Sequence, residues 1–277
     1  MNKLINYALT TCIILSSCNK DELTDNNVQE STKYYIQTYV DATEMDIHQN
    51  SDFQNKKPSL YITLNGLQYD YRGSGGLNNY KQKHNVEEYI FEKMGALPSA
   101  YISSDDSTNI ISVNQKEIDL EVSDNLNKFL SIASQNNDTT WNGKLAIPFA
   151  NKAINDSIFS IEIITEKDYD MQHKAGDDLS DIVKFYGSTP YNYIQNGYKP
   201  TKDRLYSQEM EDSGISYYSY ELIECYCNEI QNVETKYFDT HFDLLFTTKP
   251  TNNGKYPLTI NIKLSKGTIS KQTEMEF

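Results

Sequence analysis

The clearest periodicity lies at the C-terminal end. Leu258, Ile260, Ile262 and Leu264 alternate with Thr259, Asn261 and Lys263, a period of two that puts one face of a strand in a core and the other in water. Ser265-Lys266-Gly267 supplies a turn, and the alternation resumes through Ile269, Lys271, Thr273, Met275 and Phe277, so the chain is predicted to end on a β-hairpin. Residues 242–248 read as a further strand, closed by Lys249-Pro250 and the loop Asn252-Asn253-Gly254. Phe159, Ile161 and Ile163 alternate with Ser160 and Glu162, and 215–223 reads as a tyrosine-rich strand with Tyr218, Tyr220 and Leu222 on one face.

Helical spacing is rarer. Leu179, Ile182, Val183 and Tyr186 follow the acidic pair Asp177 and Asp178 and precede Gly187, which predicts a short helix. Thr189-Pro190 offers a cap and a first-turn proline for another, stopped at Gly197. In the N-terminal half, 34–40 and 60–64 read as strands and 72–76 as a glycine-rich loop. Asn85 with Glu88 begins a helix carrying Val86, Tyr89, Ile90 and Met94 on one face. Leu126, Phe129, Leu130 and Ala133 predict a second short helix, and 141–149 a strand running into a bend at Pro148. There is no internal repeat and no long linker. The expected fold class is mainly β with some α (α+β). A mixed α+β module over 33–150 would be followed by an immunoglobulin-like β-sandwich over 151–277, with the boundary in the weakly patterned stretch 150–157.

The first residues belong to neither module. Lys3 is the only charge before Cys18, and the apolar stretch 4–15 is interrupted by Asn6 and two threonines. It is too short and too polar for a spanning helix, which needs about 20 apolar residues, and it has the layout of a signal peptide over 1–17. Leu15-Ser16-Ser17-Cys18 resembles a bacterial lipobox, which implies cleavage before Cys18 and acylation of its thiol. Lys20, Asp21 and Glu22 resemble the export signal of surface lipoproteins in the Bacteroidetes. The polar run 18–32 is then a flexible tether, and acyl chains on one cysteine give a stable membrane anchor. The expected location is the outer membrane, lipid-anchored, at the cell surface.

Charge narrows the partners. The formal net charge is -14, and loss of Lys3 with the signal peptide makes the mature chain more negative still. Phosphate backbones repel such a chain, so nucleic acid is not an expected partner. Only Cys225 and Cys227 remain as thiols beyond Cys12 and Cys18, so no disulfide framework staples the fold. Twenty-two tyrosines stand against ten phenylalanines and one tryptophan, a bias that suits both half-buried strands and binding faces.

The motifs of common enzymes are missing. His48, His84, His173 and His241 are scattered, and none forms a metalloprotease H-E-x-x-H. Gly73-Ser74-Gly75 lacks the spacing of a nucleophile elbow, and there is no glycine-rich nucleotide loop, so no cofactor is expected. Cys225 and Cys227 would share one strand face about 6.5–7 Å apart, with His241 the nearest candidate for a third metal ligand. Two thiols fall short of a four-ligand zinc site, and incidental thiols or a strained disulfide are the better reading. Asp168, Asp170, Asp177, Asp178 and Asp181 do not keep the order of a calcium loop and read as caps.

Several segments of the C-terminal half together resemble an uncharacterised family of Bacteroidetes surface lipoproteins. They are Ser160-Ile161-Glu162-Ile163-Ile164, Asp168-Tyr169-Asp170, the run His173 to Ile182, and His241-Phe242-Asp243-Leu244-Leu245-Phe246 with Lys249-Pro250. The resemblance covers about 158–277 and implies no activity and no catalytic residues. The expected function is therefore a non-enzymatic binding or accessory protein. Its partners would be the membrane, through the anchor, and a glycan or an envelope protein. Trp141, Tyr217, Tyr218 and Tyr220 are the candidate ligand-binding aromatics. The alternative is a structural subunit of a cell-envelope or surface-fibre assembly, with terminal strands pairing between chains.

Overall fold

The computed structural model describes residues 33–49, 57–71, 79, 101–103, 110–112, 115–141, 152–199 and 222–277. Among these the protein is mainly β with a minor helical part. The strands are β1 (Thr38–Gln49), β2 (Ser59–Asp70), β3 (Tyr101–Ser103), β4 (Ile110–Ser112), β5 (Lys152–Ile154), β6 (Ser160–Thr165), β7 (Val183–Ser188), β8 (Leu222–Tyr226), β9 (His241–Phe246), β10 (Lys255–Leu264) and β11 (Gly267–Glu276). Two α-helices, α1 (Gln115–Gln135) and α2 (Tyr191–Gln195), and a 3-10 helix, Cys227–Asn232, accompany them.

A six-stranded sheet runs β5-β1-β2-β9-β7-β8, a three-stranded one β11-β10-β6, and β3 pairs with β4. All pairings are antiparallel except the three-residue one of β1 with β5. Leu60, Ile62 and Leu64 of β2, Phe242, Leu244 and Phe246 of β9, and Val183 and Phe185 of β7 point to one face of the large sheet. They share a single buried cluster with Ile161 and Ile163 of β6 and Leu258, Ile260 and Ile262 of β10. The two sheets thus close over one core. A second cluster joins Tyr35, Ile36, Tyr39, Phe129, Ile132 and Tyr193 on the opposite face, where α1 packs on β1 and β2.

This arrangement revises the expected division of the chain. β1 and β2 precede residue 150 and β7 and β9 follow it, yet all four lie in one sheet, with β9 paired to both β2 and β7. The stretch 150–157, read as a boundary, contains β5, which adds to β1. Apolar strand faces on either side of that stretch fill the same core, so the described strands do not divide there.

Local departures have local causes. The register of β1 against β2 shifts between Ala42 and Glu44, so Thr43 is an extra residue and the alternation reverses across it. Val40 before the bulge and Met45 after it therefore reach the same core. Gly66 lies opposite, and a Cβ there would run into the backbone carbonyl of Asp41. The predicted helix over 179–186 is instead a turn followed by β7, whose last four residues, Phe185 to Ser188, are all buried. A strand covered on both sides loses its alternation, and its residues then match a helical spacing by coincidence. The helix foreseen around Leu126 is much longer, Phe129, Ile132 and Ala133 being buried apolar residues of it, with Leu130 39% exposed. α2 and the terminal hairpin form as expected. The helix from Asn85 and the strand 142–149 fall outside the described residues.

Candidate functional site

β2 pairs with β9 only from Ser59 to Thr63, with one further bond from Leu64 N–H to the Thr240 carbonyl. Beyond it two asparagine side chains meet the strand edge. The Asn79 amide accepts from Gln68 N–H (3.2 Å) and donates to its carbonyl (3.1 Å). Asn125 of α1, only 2% exposed, accepts from Asp70 N–H at 3.1 Å and donates to the Gln68 carbonyl. Planar amides here replace a neighbouring strand and satisfy buried backbone groups.

The space between this edge and α1 is an open groove of about 650 Å³. Leu67 and the half-buried ring of Tyr69 line it from β2, and Glu121, Asp124 and Lys128 from successive turns of α1. The Tyr69 hydroxyl donates to Asp41 Oδ2 at 3.3 Å, which fixes the ring. Burial, with the Asp41 charge beside it, pushes that hydroxyl up to about 12, so it stays protonated. The groove therefore offers a fixed aromatic ring and an aliphatic side chain beside carboxylates, an ammonium and amides. Such a surface complements a ligand with one C–H face and a hydroxylated edge.

Three other polar centres lie elsewhere. Asp138, fully buried just beyond α1, accepts from the N–H groups of Tyr35 (2.7 Å) and Ile36 (2.8 Å) and the Tyr198 hydroxyl (2.9 Å), with the Tyr39 hydroxyl at 3.5 Å. Burial pushes its carboxyl up to about 6 against the pull of those donors. It ties the segment before β1 and Tyr198, beyond α2, to the end of α1, which closes with Asn137 in the left-handed region at φ 58°. On the outer face of β2 and β9, Tyr61 stacks on His241 with ring centres 5.6 Å apart. Asp239 closes a turn there, accepting from His241 N–H (3.1 Å) with the imidazole Nδ1 at 3.3 Å. The third centre is the acidic loop after β6. Its aspartates do act as caps, but of loop backbone. Asp170 accepts from Gln172 and His173 N–H, Asp177 from Lys174 N–H, Asp178 from Ile163 and Ser180 N–H, and Asp168 from Ala175 N–H. Asp181 meets His173.

The other sequence candidates are placed as follows. Trp141 sits edge-on to Tyr35 at 5.3 Å, its indole nitrogen shielded from solvent without a partner among the described residues. It packs the second cluster, because the chain leaving α1 folds back on 33–36, with Trp141 N–H on the Lys33 carbonyl. Cys18, Lys20, Asp21, Glu22, Tyr217, Tyr218 and Tyr220 lie outside the described residues. Cys225 and Cys227 are free thiols. Only Cys225 is in β8, Cys227 opening the 3-10 helix, so the shared strand face is lost. Burial first, then Glu229 and Glu224, push the Cys225 thiol up to about 12, leaving it a poor nucleophile. Among the described residues no three His, Cys, Asp or Glu converge on a metal position, and no helix is long and apolar enough to cross a membrane.

The groove residues were missed in sequence. One signal was present: Asn125 interrupts the stripe Val122, Phe129, Ile132, and a polar residue on a buried stripe needs a partner. Compared with family models, curated proteins and solved structures, the chain matches none.

Proposed function

We propose that this protein is a surface lipoprotein of the outer membrane, anchored through acylated Cys18, that binds a glycan in the groove between β2 and α1 without chemically altering it. The observation that carries the reading is the groove's lining, a fixed tyrosine ring and a leucine set against amides and charged groups. Sugars present the same duality, C–H groups on one face and hydroxyls around the edge, and a rigid aromatic ring binds that face at little cost in entropy.

Several features support the wider proposal. Residues 18–32 precede Lys33, a tether that when extended reaches about 50 Å, enough to clear the head-group region. Membership in an uncharacterised Bacteroidetes lipoprotein family rests on the C-terminal resemblance. The immunoglobulin-like description of that part gains support from its six long strands, three in each of the two facing sheets. For the alternative, an assembly subunit donating its last strand, the contacts are unfavourable. Gln49 donates to the Glu276 carbonyl and accepts from its N–H, Lys271 meets Asp46 at 2.8 Å, and Phe277 packs on Tyr169, Phe246 and Tyr256.

Native gels loaded with host and plant polysaccharides test the reading on residues 31–277. Retardation by at least one glycan is expected, weakened up to about ten-fold by Tyr69→Ala, in line with the roughly 0.5–1.5 kcal/mol a ring contact is worth. Unchanged mobility across the whole panel would overturn glycan binding, and retardation indifferent to Tyr69→Ala would move the site elsewhere.

A further inference from the structure

His173 is 7% exposed, yet both its ring nitrogens face carboxylates. Nδ1 lies 3.0 Å from Asp170 Oδ1 and Nε2 lies 3.1 Å from Asp181 Oδ1. An ionised carboxylate only accepts, so both contacts are hydrogen bonds only when both nitrogens carry a proton, as in the imidazolium. The segment around it is fixed at its two ends and exposed between them. Tyr169 and Leu179 are fully buried, the Tyr169 hydroxyl donating to the Thr248 carbonyl at 2.6 Å, whereas Met171 is 90% exposed. Between those ends the segment lies along the edge of β6 that β10 leaves free. Thr165 N–H donates to the Asp177 carbonyl (3.1 Å), Gly176 N–H to the Thr165 carbonyl (2.6 Å), and Ile163 N–H to Asp178 Oδ1 (2.8 Å).

We propose that residues 170–178 form a proton-held strap: the His173 imidazolium, clasped by Asp170 and Asp181, ties it over β6, and loss of that proton lets it lift between Tyr169 and Leu179. The neutral ring can donate from one nitrogen only, so one clasp becomes a lone pair facing a carboxylate. Gly176, at φ 95°, gives the strap a pivot. Lifting uncovers the N–H and C=O of Thr165, a short stretch of free sheet edge.

Among the described residues, the neighbouring charges of the strap are turned away from the ring. Lys174 turns to Asp168 (3.5 Å) and to the Asp170 carbonyl, and Asp177 and Asp178 are turned to backbone N–H groups. Beneath the strap, the Tyr256 hydroxyl is bound to the Asn252 carbonyl, and in the 3-10 helix Cys227 has Asp178 as a charged neighbour. Burial alone would lower the His173 titration, but the bonds and charges of Asp170 and Asp181 outweigh it and raise it above the ordinary 6.5. The clasp therefore stabilises the closed strap fully below that value and is lost as pH rises through the folded-state value.

The test uses the full chain in detergent micelles. Exchange at the imidazole Cε1–H, followed by mass spectrometry, gives the titration of His173. Amide exchange of peptides containing Thr165 and Gly176, corrected for intrinsic rates, gives strap opening. Opening is expected to increase about ten-fold for each unit by which His173 titrates above free histidine. Peptides from β10 and β11 should not change. Asp181→Asn, at a half-exposed carboxylate, should move both midpoints down together, and His173→Gln should open the strap at every pH. A strap whose protection ignores the titration, or a His173 that titrates at or below 6.5, would overturn the proposal. If the glutamine variant does not fold, the wild-type titration and Asp181→Asn still decide.

Discussion

Replacing Asp138 by asparagine isolates what a buried carboxylate costs this fold. With the carboxyl at about 6 when folded and an ordinary value of 3.8 when unfolded, the folded chain holds the proton more tightly between those values. Stability from this group is then largest below pH 4 and falls as pH rises through 6. About two pKa units correspond to about 3 kcal/mol. Asparagine removes that slope, because it carries no charge at any pH. It has its own cost: Tyr35 N–H is bound to one carboxylate oxygen and Ile36 N–H to the other. An amide accepts at only one position, leaving a buried N–H unsatisfied at about 1–3 kcal/mol. The variant should therefore be less stable than wild type at pH 4, and the gap should close or reverse by pH 7. The difference between the two would swing by about 3 kcal/mol. Urea unfolding of both proteins at half-unit steps, followed by tyrosine fluorescence, measures it. Taking the difference cancels carboxylates common to both, such as Asp170, which hydrogen bonds from His173 and Gln172 hold below the usual range despite partial burial. A flat difference across pH 4 to 7, or one that widens with pH, would refute the reasoning and mean that the donors outweigh desolvation.

Two packing predictions accompany it. Gly66→Ala places a methyl against the Asp41 carbonyl at the β1 bulge, and should cost about 1–3 kcal/mol, seen as a lower urea midpoint with an unchanged slope. A neutral result would mean that the bulge relaxes freely. Phe277→Ala removes a ring within 5.2 to 5.5 Å of those of Phe246, Tyr256 and Tyr169. It should cost about 3 kcal/mol in thermal unfolding, and a change under about 0.5 kcal/mol, the range of an ordinary surface position, would show that the C-terminus frays.

Reading the sequence went furthest where one strand face is wet. β10 and β11 announce themselves because Thr259, Asn261 and Lys263 interrupt the apolar positions, and α2 because Thr189-Pro190 and Gly197 bracket it. It failed where both faces are covered, as along β7, and where an inserted residue reverses the phase, as at Thr43 of β1. The undivided sheet could not be read either, since the pairing of Thr63 with His241 is set by the whole core and leaves no local mark. The groove escaped for the same reason. Asn125 signals a need for a partner but not that the partner is the backbone of Gln68 and Asp70, far upstream.

The position of β9 between β2 and β7 bears on how the chain is made. A ribosome releases β1 and β2 long before β9 exists, so the early hairpin must wait with its apolar face uncovered until residues 241–246 have emerged. Long-range closure of this kind is slow and leaves nascent chains open to misassembly. A product cut short anywhere ahead of His241 would lack the strand that joins its two ends and would be left for proteases. The same delay keeps an incomplete chain unfolded, the form in which a polypeptide can still be threaded through a narrow pore.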